Sequence, residues 1–308
     1  MDYTDVNAYL ITPETGARKI ITDILLTVGF RHITPGSTYD DAKIAIDDNR
    51  ADIIIIDAKF KDGDINELIK NVRNGRLGKN PFLPFLSFVS YPTKSLVREI
   101  SDSGTDDLIS YPMSTGQMSE RMGILVEKRK PFVVTADYIG PDRRTTTERR
   151  EGQQQIPLIE VPNTLRARVK KDVSPDEMEV AIRKALGEVH GQRVDRSIDQ
   201  VAWLVTRILA GYSWAEGEAL EPEIFVFLDK LDDMATELEF RLNGPEHQHI
   251  YHLCRPLLIV TAKLLKDQGN ADPTNLKLLD LLSKAFKSAV NNEKDVDYTK
   301  QIQDLMAT

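Results

Sequence analysis

Asp57 stands directly after four consecutive isoleucines, Ile53 to Ile56, so a β-branched run with no polar alternation ends on a carboxylate. Ser90 follows a second apolar run, Leu83 to Val89, and Tyr111-Pro112 follows a short strand-like segment, Asp107 to Ser110. Thr12, Pro13 and Glu14 stand at the end of Asn7 to Thr12, another strand-like segment. A lone carboxylate such as Asp57 is a poor magnesium site, because the octahedral ion takes hard oxygen ligands and normally wants more than one carboxylate. The plain alternative for Asp57 is a solvated residue at a strand end.

Two other groups have side chains suited to chemistry. His247, His249 and His252 invite a metal, but on a helix the first two point ~200° apart. His249 and His252 share a face, and would need a further carboxylate to hold zinc. A solvated helix start accounts for them more simply. Arg143, Arg144, Arg149 and Arg150 form a basic cluster that could contact phosphates. Residues 131–173 carry eight basic and six acidic residues, a net of only +2, which fits a solvated linker or a docking segment. No phosphate-cradling glycine loop, Ser–His–Asp order or zincin motif is present.

The elements that must position these residues follow from hydrophobic period. The first 130 residues alternate short apolar runs with amphipathic stretches. Strands are expected at 7–12, 30–33, 53–56, 83–89 and 107–110, with helices at 16–26, 40–46, 65–72, 95–100 and 118–126. Ile53 to Ile56 should be buried on both faces, as in the central strand of a parallel sheet. Strands separated by helices imply right-handed crossovers. From Ser174 onward only helix periodicity remains. Ser174-Pro175-Asp176-Glu177 starts one helix, and Ile198 to Leu209 marks a second that stops near Gly211. Three more are centred on 224–238, 250–264 and 278–290, with Pro256 expected to kink or break its helix. Long helices with short loops make a bundle. The organisation expected is an α/β domain over 1–130, a linker over 131–173 in which Ile156 to Val161 packs on a neighbouring domain, and an all-α bundle over 174–308.

The order of elements in 5–130 resembles the receiver domain of bacterial two-component response regulators. Asp57 after its strand, Asp62-Gly63, Ser90, Tyr111-Pro112, Gly29-Phe30 and Gly104 carry the resemblance. It implies a flavodoxin-like five-stranded (βα)5 fold and a phosphoryl group accepted at the Asp57 position. An acidic pair with Mg²⁺, a Ser or Thr after strand four and a lysine after strand five would support that transfer. This chain has Thr12 and Pro13 at the acidic pair, with Glu14 one residue late, and Tyr111 at the lysine. Each lost charge-stabilising element is worth ~3 kcal/mol or more, so the domain is identified as a pseudo-receiver with a vestigial pocket of Asp57, Ser90, Tyr111, Thr12 and Glu14. The resemblance also implies a cis Tyr111-Pro112 bond. It implies an output face on the fourth helix, fifth strand and fifth helix, which would include Lys94, Arg98, Asp102, Asp106, Asp107, Glu120, Arg121 and Glu127. Its mixed charges suit pairing with a protein partner. His252 to Pro256 is faintly similar to the phosphorylated histidine segment of kinase dimerisation helices or of a histidine phosphotransfer domain. There Pro256 falls one position early and the acidic neighbour is absent. The arginine cluster is similar to the PilZ arginine motif, but its spacing is wrong.

Composition bounds the function. The 308 residues are 41 % hydrophobic and 29 % charged, with 40 basic against 48 acidic residues and a net charge of −8. That is a globular composition of about two domains, and its acidity speaks against nucleic acid. The one cysteine excludes an intrachain disulfide. No apolar run reaches the ~18 residues of a spanning helix, no signal peptide is evident, and the location expected is cytoplasmic. The function expected is a non-enzymatic signalling or scaffold protein whose partner is a kinase, a receiver or a second copy in a homodimer. The alternatives are a phosphorylatable regulator using Asp57 and Mg²⁺, the one case that needs a cofactor, and histidine phosphotransfer at His252.

Overall fold

The computed structural model describes residues 1–143, 156–215, 219–242, 248–267, 269–290 and 298–306. Its first ten elements alternate strand and helix: β1 (Asn7–Ile11), α1 (Thr15–Val28), β2 (His32–Gly36), α2 (Tyr39–Asp47), β3 (Ile53–Asp57), α3 (Ile65–Arg73), β4 (Phe85–Val89), α4 (Lys94–Asp102), β5 (Asp107–Ser110) and α5 (Thr115–Glu127). The strands pair in parallel in the order β2-β1-β3-β4-β5. The isoleucine run is therefore flanked on both sides, and its alternation explains why it needs no polar residue. Ile53 and Ile55 pack with α1 and α5, through Ile21, Leu25, Met118 and Met122. Ile54 and Ile56 pack with α2 and α3, through Ala42, Ile46, Leu68 and Val72.

Local chemistry sets where these helices begin. Thr38 and Ser114 each form a reciprocal capping box, with Asp41 and Gln117. Asp64 caps α3 by accepting from the Asn66 and Glu67 amides. Gly63 must lack a side chain, because a Cβ there would sit 2.4 Å from the Tyr39 ring.

The described parts of 131–173, residues 131–143 and 156–173, are more ordered than the solvated linker expected. They contain β6 (Phe132–Val134), β7 (Ile139–Pro141), β8 (Leu158–Ile159) and α6 (Thr164–Lys170). The three strands form an antiparallel sheet in the order β7-β6-β8. Phe132, Val134, Ile139 and Ile159 share a core with Phe82 and with Ala185 and Val189 of α7 (Pro175–Ala215). The packing expected of the 156–161 stretch is thus present at Ile159. Leu165 and Val169 of α6 join the core under α1 and α5.

A buried ion cluster adds to the hydrophobic fastening of this small sheet. Asp106 accepts from Arg73 Nη2 at 2.8 Å and from Arg129 Nε at 2.7 Å, with the three side chains 1 %, 1 % and 5 % exposed respectively. The remaining guanidinium hydrogens find carbonyls: Arg73 donates to Gly104, Pro81 and Leu83, and Arg129 to Pro162 and Phe82. Both guanidiniums lie over Phe132, at 5.1 and 5.3 Å. Burial pushes Arg73 down to about 10 while Asp106 opposes it, so the group stays charged at neutral pH. Asp106 is consequently no part of an exposed output face, contrary to expectation. Gly104, at φ 92°, completes the fit, because a Cβ there would lie 2.7 Å from the Ile139 carbonyl oxygen.

The chain divides into two compact units, Met1–His190 and Gly191–Thr308, and the division falls within α7 rather than at residue 173. The second unit is helical: the end of α7, α8 (Pro222–Arg241), α9 (Gln248–Lys266), α10 (Pro273–Val290) and α11 (Tyr298–Met306). The helix that starts at Pro175, just after Ser174, runs through Ile198–Leu209, so one 41-residue helix stands where two were expected. Gly211 does not stop it; the absent side chain makes room for Ile224, whose Cδ1 would be 2.3 Å from a Cβ. Nor does Pro256 break α9, which runs on to Lys266. The core is built from Ile198, Val201, Leu204, Leu228, Leu231, Leu257, Val260, Leu279, Leu282 and Phe286. Among the described residues no helix is long and apolar enough to cross a membrane.

Removing one partner of a buried ion cluster leaves charges with no compensation. Asp106→Ala, which strands two arginines, should cost about 3–5 kcal/mol, read as a lower urea midpoint. Arg98→Ala, at an exposed site, should stay within about 0.5 kcal/mol of the parent.

Candidate functional site

The candidate site lies where β1 and β3 end side by side. Ile11 and Ile56 are paired in register, so Thr12 and Asp57 emerge together. Both are buried. Thr12 Oγ1 donates to Asp57 Oδ2 at 2.9 Å, and the Lys59 amide donates to Asp57 Oδ1 at 3.0 Å. Asp57 is thus no solvated strand end; each carboxylate oxygen has a donor from the protein. Arg18 Nη1 holds the Thr12 carbonyl at 2.7 Å, and the Glu14 amide donates to Thr12 Oγ1 at 3.3 Å.

Burial dominates the electrostatics of Asp57 and holds its carboxyl above the ordinary value. The Lys59 amide and the Thr12 hydroxyl pull it back down, Glu14 adds to the rise, and the Lys59 charge lowers it. A hydroxyl at position 12 stabilises the anion by one hydrogen bond, whereas a carboxylate there would demand a cation between the two. Glu14 does not supply one, since it is exposed at the N-cap of α1 and makes no side-chain cap. The donor set does not fit Mg²⁺: one carboxylate is already engaged by two protein donors. Among the described residues no group of three His, Cys, Asp or Glu side chains converges.

The other pocket residues are less assembled. Ser90 is exposed one residue past β4 and makes no hydrogen bond to Asp57. Tyr111 follows β5 and packs half-buried against the core, its ring 6.2 Å from that of Phe88. The Tyr111-Pro112 bond is cis, as expected. The role of Arg18 is not legible in the sequence, because an arginine six residues after Thr12 carries no motif.

On the expected output face, Lys94, Arg98 and Glu120 are exposed. Arg98 meets Asp102 at 3.8 Å, and Arg121 meets Asp107 at 3.2 Å. Glu127 turns instead to Lys170 of α6 as an ion pair. Of the basic cluster, Arg143 is tied down rather than solvated: it donates to the Thr105 carbonyl at 2.5 Å and to the Tyr138 hydroxyl at 3.4 Å. Arg144, Arg149, Arg150 and His247 lie outside the described residues, as does the side chain of His249. His252 is exposed on α9 beside the Tyr251 ring. Cys254 is buried, and burial pushes its thiol up to about 12, which makes it inert at neutral pH.

No protein-family model matches the sequence, and no curated protein matches it. Solved structures similar to it cover its N-terminal part. The response regulator DrrB of Thermotoga maritima, an OmpR/PhoB homologue, is 15 % identical over 41 % of this chain and 55 % of its own, with a TM-score of 0.35. The chain thus spans about half the length of DrrB. The signal receiver domain of a DNA-binding response regulator from Colwellia psychrerythraea is 14 % identical over 40 % of this chain and all of its own, with a TM-score of 0.36. The chemotaxis response regulator CheY4 of Vibrio cholerae is 16 % identical over 39 % and 98 %, with a TM-score of 0.35. The N-terminal domain resembles receiver domains in its order of strands and helices.

Because the folded-state carboxyl of Asp57 is raised, its contribution to stability is present in acid and is lost as pH rises through the folded value. Thr12→Val leaves a buried oxygen without its donor and should cost about 1–3 kcal/mol at neutral pH. The loss should shrink near the acid end, where Asp57 is protonated; urea titrations at two pH values check this. Asp57→Asn removes the desolvated charge, and its amide can still meet Thr12 and the Lys59 amide. Its stability at pH 7 should equal the parent's or exceed it by up to about 1 kcal/mol.

Proposed function

We propose that the chain is a non-catalytic cytoplasmic signalling protein whose receiver-like domain works through protein–protein contacts without a phosphoryl group on Asp57. The observation that carries this reading is the bond from Thr12 Oγ1 to Asp57 Oδ2. It puts a neutral donor where the receiver resemblance calls for a magnesium-binding acid. Phosphoryl transfer to a carboxylate builds charge on the transferred group, and catalysis of that step is chiefly positioning and electrostatic stabilisation. Here a metal lacks ligands, Tyr111 brings no cation, and Asp57 is engaged by the protein itself.

The partner is a protein that meets the mixed charges of Lys94, Arg98, Glu120 and Arg121. Binding of this kind follows partner concentration, because no phosphoryl group shifts a two-state equilibrium.

The test is incubation of the full chain with Mg²⁺ and acetyl phosphate, followed by weighing of the intact protein. The mass should be unchanged. A gain of one phosphoryl group that Asp57→Asn abolishes would make the chain a phosphorylatable regulator instead.

A further inference from the structure

The chain's only two tryptophans, Trp203 and Trp214, both lie on α7 and both face solvent, 50 % and 78 % exposed. Rings of this size are normally well covered, and the opposite side of the same helix buries Ile198, Val201, Val205 and Ile208. At helical spacing Trp203, Arg207, Ala210 and Trp214 fall on one outward stripe, about 16 Å long. The Arg207 guanidinium lies 5.4 Å over the Trp203 ring, and that ring meets Phe227 of α8 edge-on at 5.6 Å. Arg207 has no carboxylate partner among the described residues. The stripe is two large aromatic rings with an uncompensated cation between them.

α8 carries the complement. Its side away from Leu228, Leu231, Ala235 and Leu238 presents Val226 and Phe240, 61 % and 75 % exposed, with Asp229 and Asp233 between them. That stripe is about 21 Å long. Neither aspartate has a cationic partner among the described residues. Each helix thus shows apolar groups at both ends and charge in the middle, and the two charges are opposite.

We propose that the second unit pairs with a second copy of this chain, the α7 stripe of each copy lying on the α8 stripe of the other. A two-fold arrangement makes every contact twice, so both Arg207 side chains meet Asp229 and Asp233 of the opposite copy. Burial of aromatic rings supplies the area: at ~150–250 Å² per fully buried ring, and with only the exposed 50 % and 78 % of each pair of rings left to cover, the four tryptophans contribute on the order of 500 Å². Val226, Phe227 and Phe240 extend this toward the ~1,200–2,000 Å² of a stable interface. Tryptophan and arginine are also the side chains that most often dominate such interfaces. This pairing does not depend on the state of Asp57.

The test uses the full chain, with light scattering and tryptophan emission followed across a dilution series. Every tryptophan signal reports the stripe, since no other tryptophan exists. The expected result is the mass of two chains at about 100 µM, with emission shifting to the blue through the same midpoint as the mass. Arg207→Glu should weaken the pair at least about tenfold, and adding Asp229→Arg and Asp233→Arg to it should recover most of that loss. All three positions are exposed, and far-UV circular dichroism verifies that the helices are kept. A chain that stays monomeric with constant emission overturns the proposal, and leaves the stripe to an acidic helix of another protein. A dimer that ignores Arg207→Glu overturns it as well, because it forms through some other surface.

Discussion

Asp106 is the hinge pin of the first unit. One carboxylate, at the start of β5, receives a guanidinium from α3 and another from the segment after α5. Two buried cations against one anion would be untenable alone, and five backbone carbonyls complete the coordination of the pair. Those carbonyls belong to the loops before β4 and β5 and to the stretch before α6. The cluster therefore ties together parts of the chain that also share hydrophobic packing through Phe82 and Phe132. Residues 131–143 and 156–173 are folded onto the domain beside it, and the end of α5 meets α6 through the Glu127–Lys170 ion pair.

The opposite ends of the strands, where Asp57 sits, show a different economy of charge. A buried carboxylate needs either a cation or good donors. This chain uses donors: the Thr12 hydroxyl and the Lys59 amide. Burial raises the carboxyl, the two donors pull it back down, and it is satisfied without a second acid, and so without the repulsion that draws in a divalent ion. Thr12 is itself held by Arg18 and by the Glu14 amide, which makes it part of a local network.

How much of this is legible in sequence depends on the range of the signal. Ile53–Ile56 reads as a central strand because period and burial are local properties, and the five β–α units follow from the same rule. Thr12 and Tyr111 are legible as departures from the receiver pattern because that pattern ties function to strand ends. The Arg73–Asp106–Arg129 cluster is not, since its members are 33 and 23 residues apart and nothing in either spacing announces contact. Without it, Phe132 to Pro141 reads as linker: its strands are three residues long, too short for alternation to show. Gly211 misleads for a related reason. As a local signal it stops a helix, whereas in the fold its missing side chain admits Ile224. Arg143 reads as a member of a solvated basic run and is instead bonded to Thr105 and Tyr138.

The proposal that Thr12, standing where an acid would be needed, leaves Asp57 without a metal site is tested most directly by magnesium affinity. Titrating Mg²⁺ into the full chain, with the backbone amide signals of residues 12–14 and 57–59 followed by NMR, should give no saturable shift in the parent protein. Thr12→Asp places a second carboxylate against Asp57 and should create a saturable site. Saturable binding by the parent protein that Asp57→Asn removes would contradict a disarmed site.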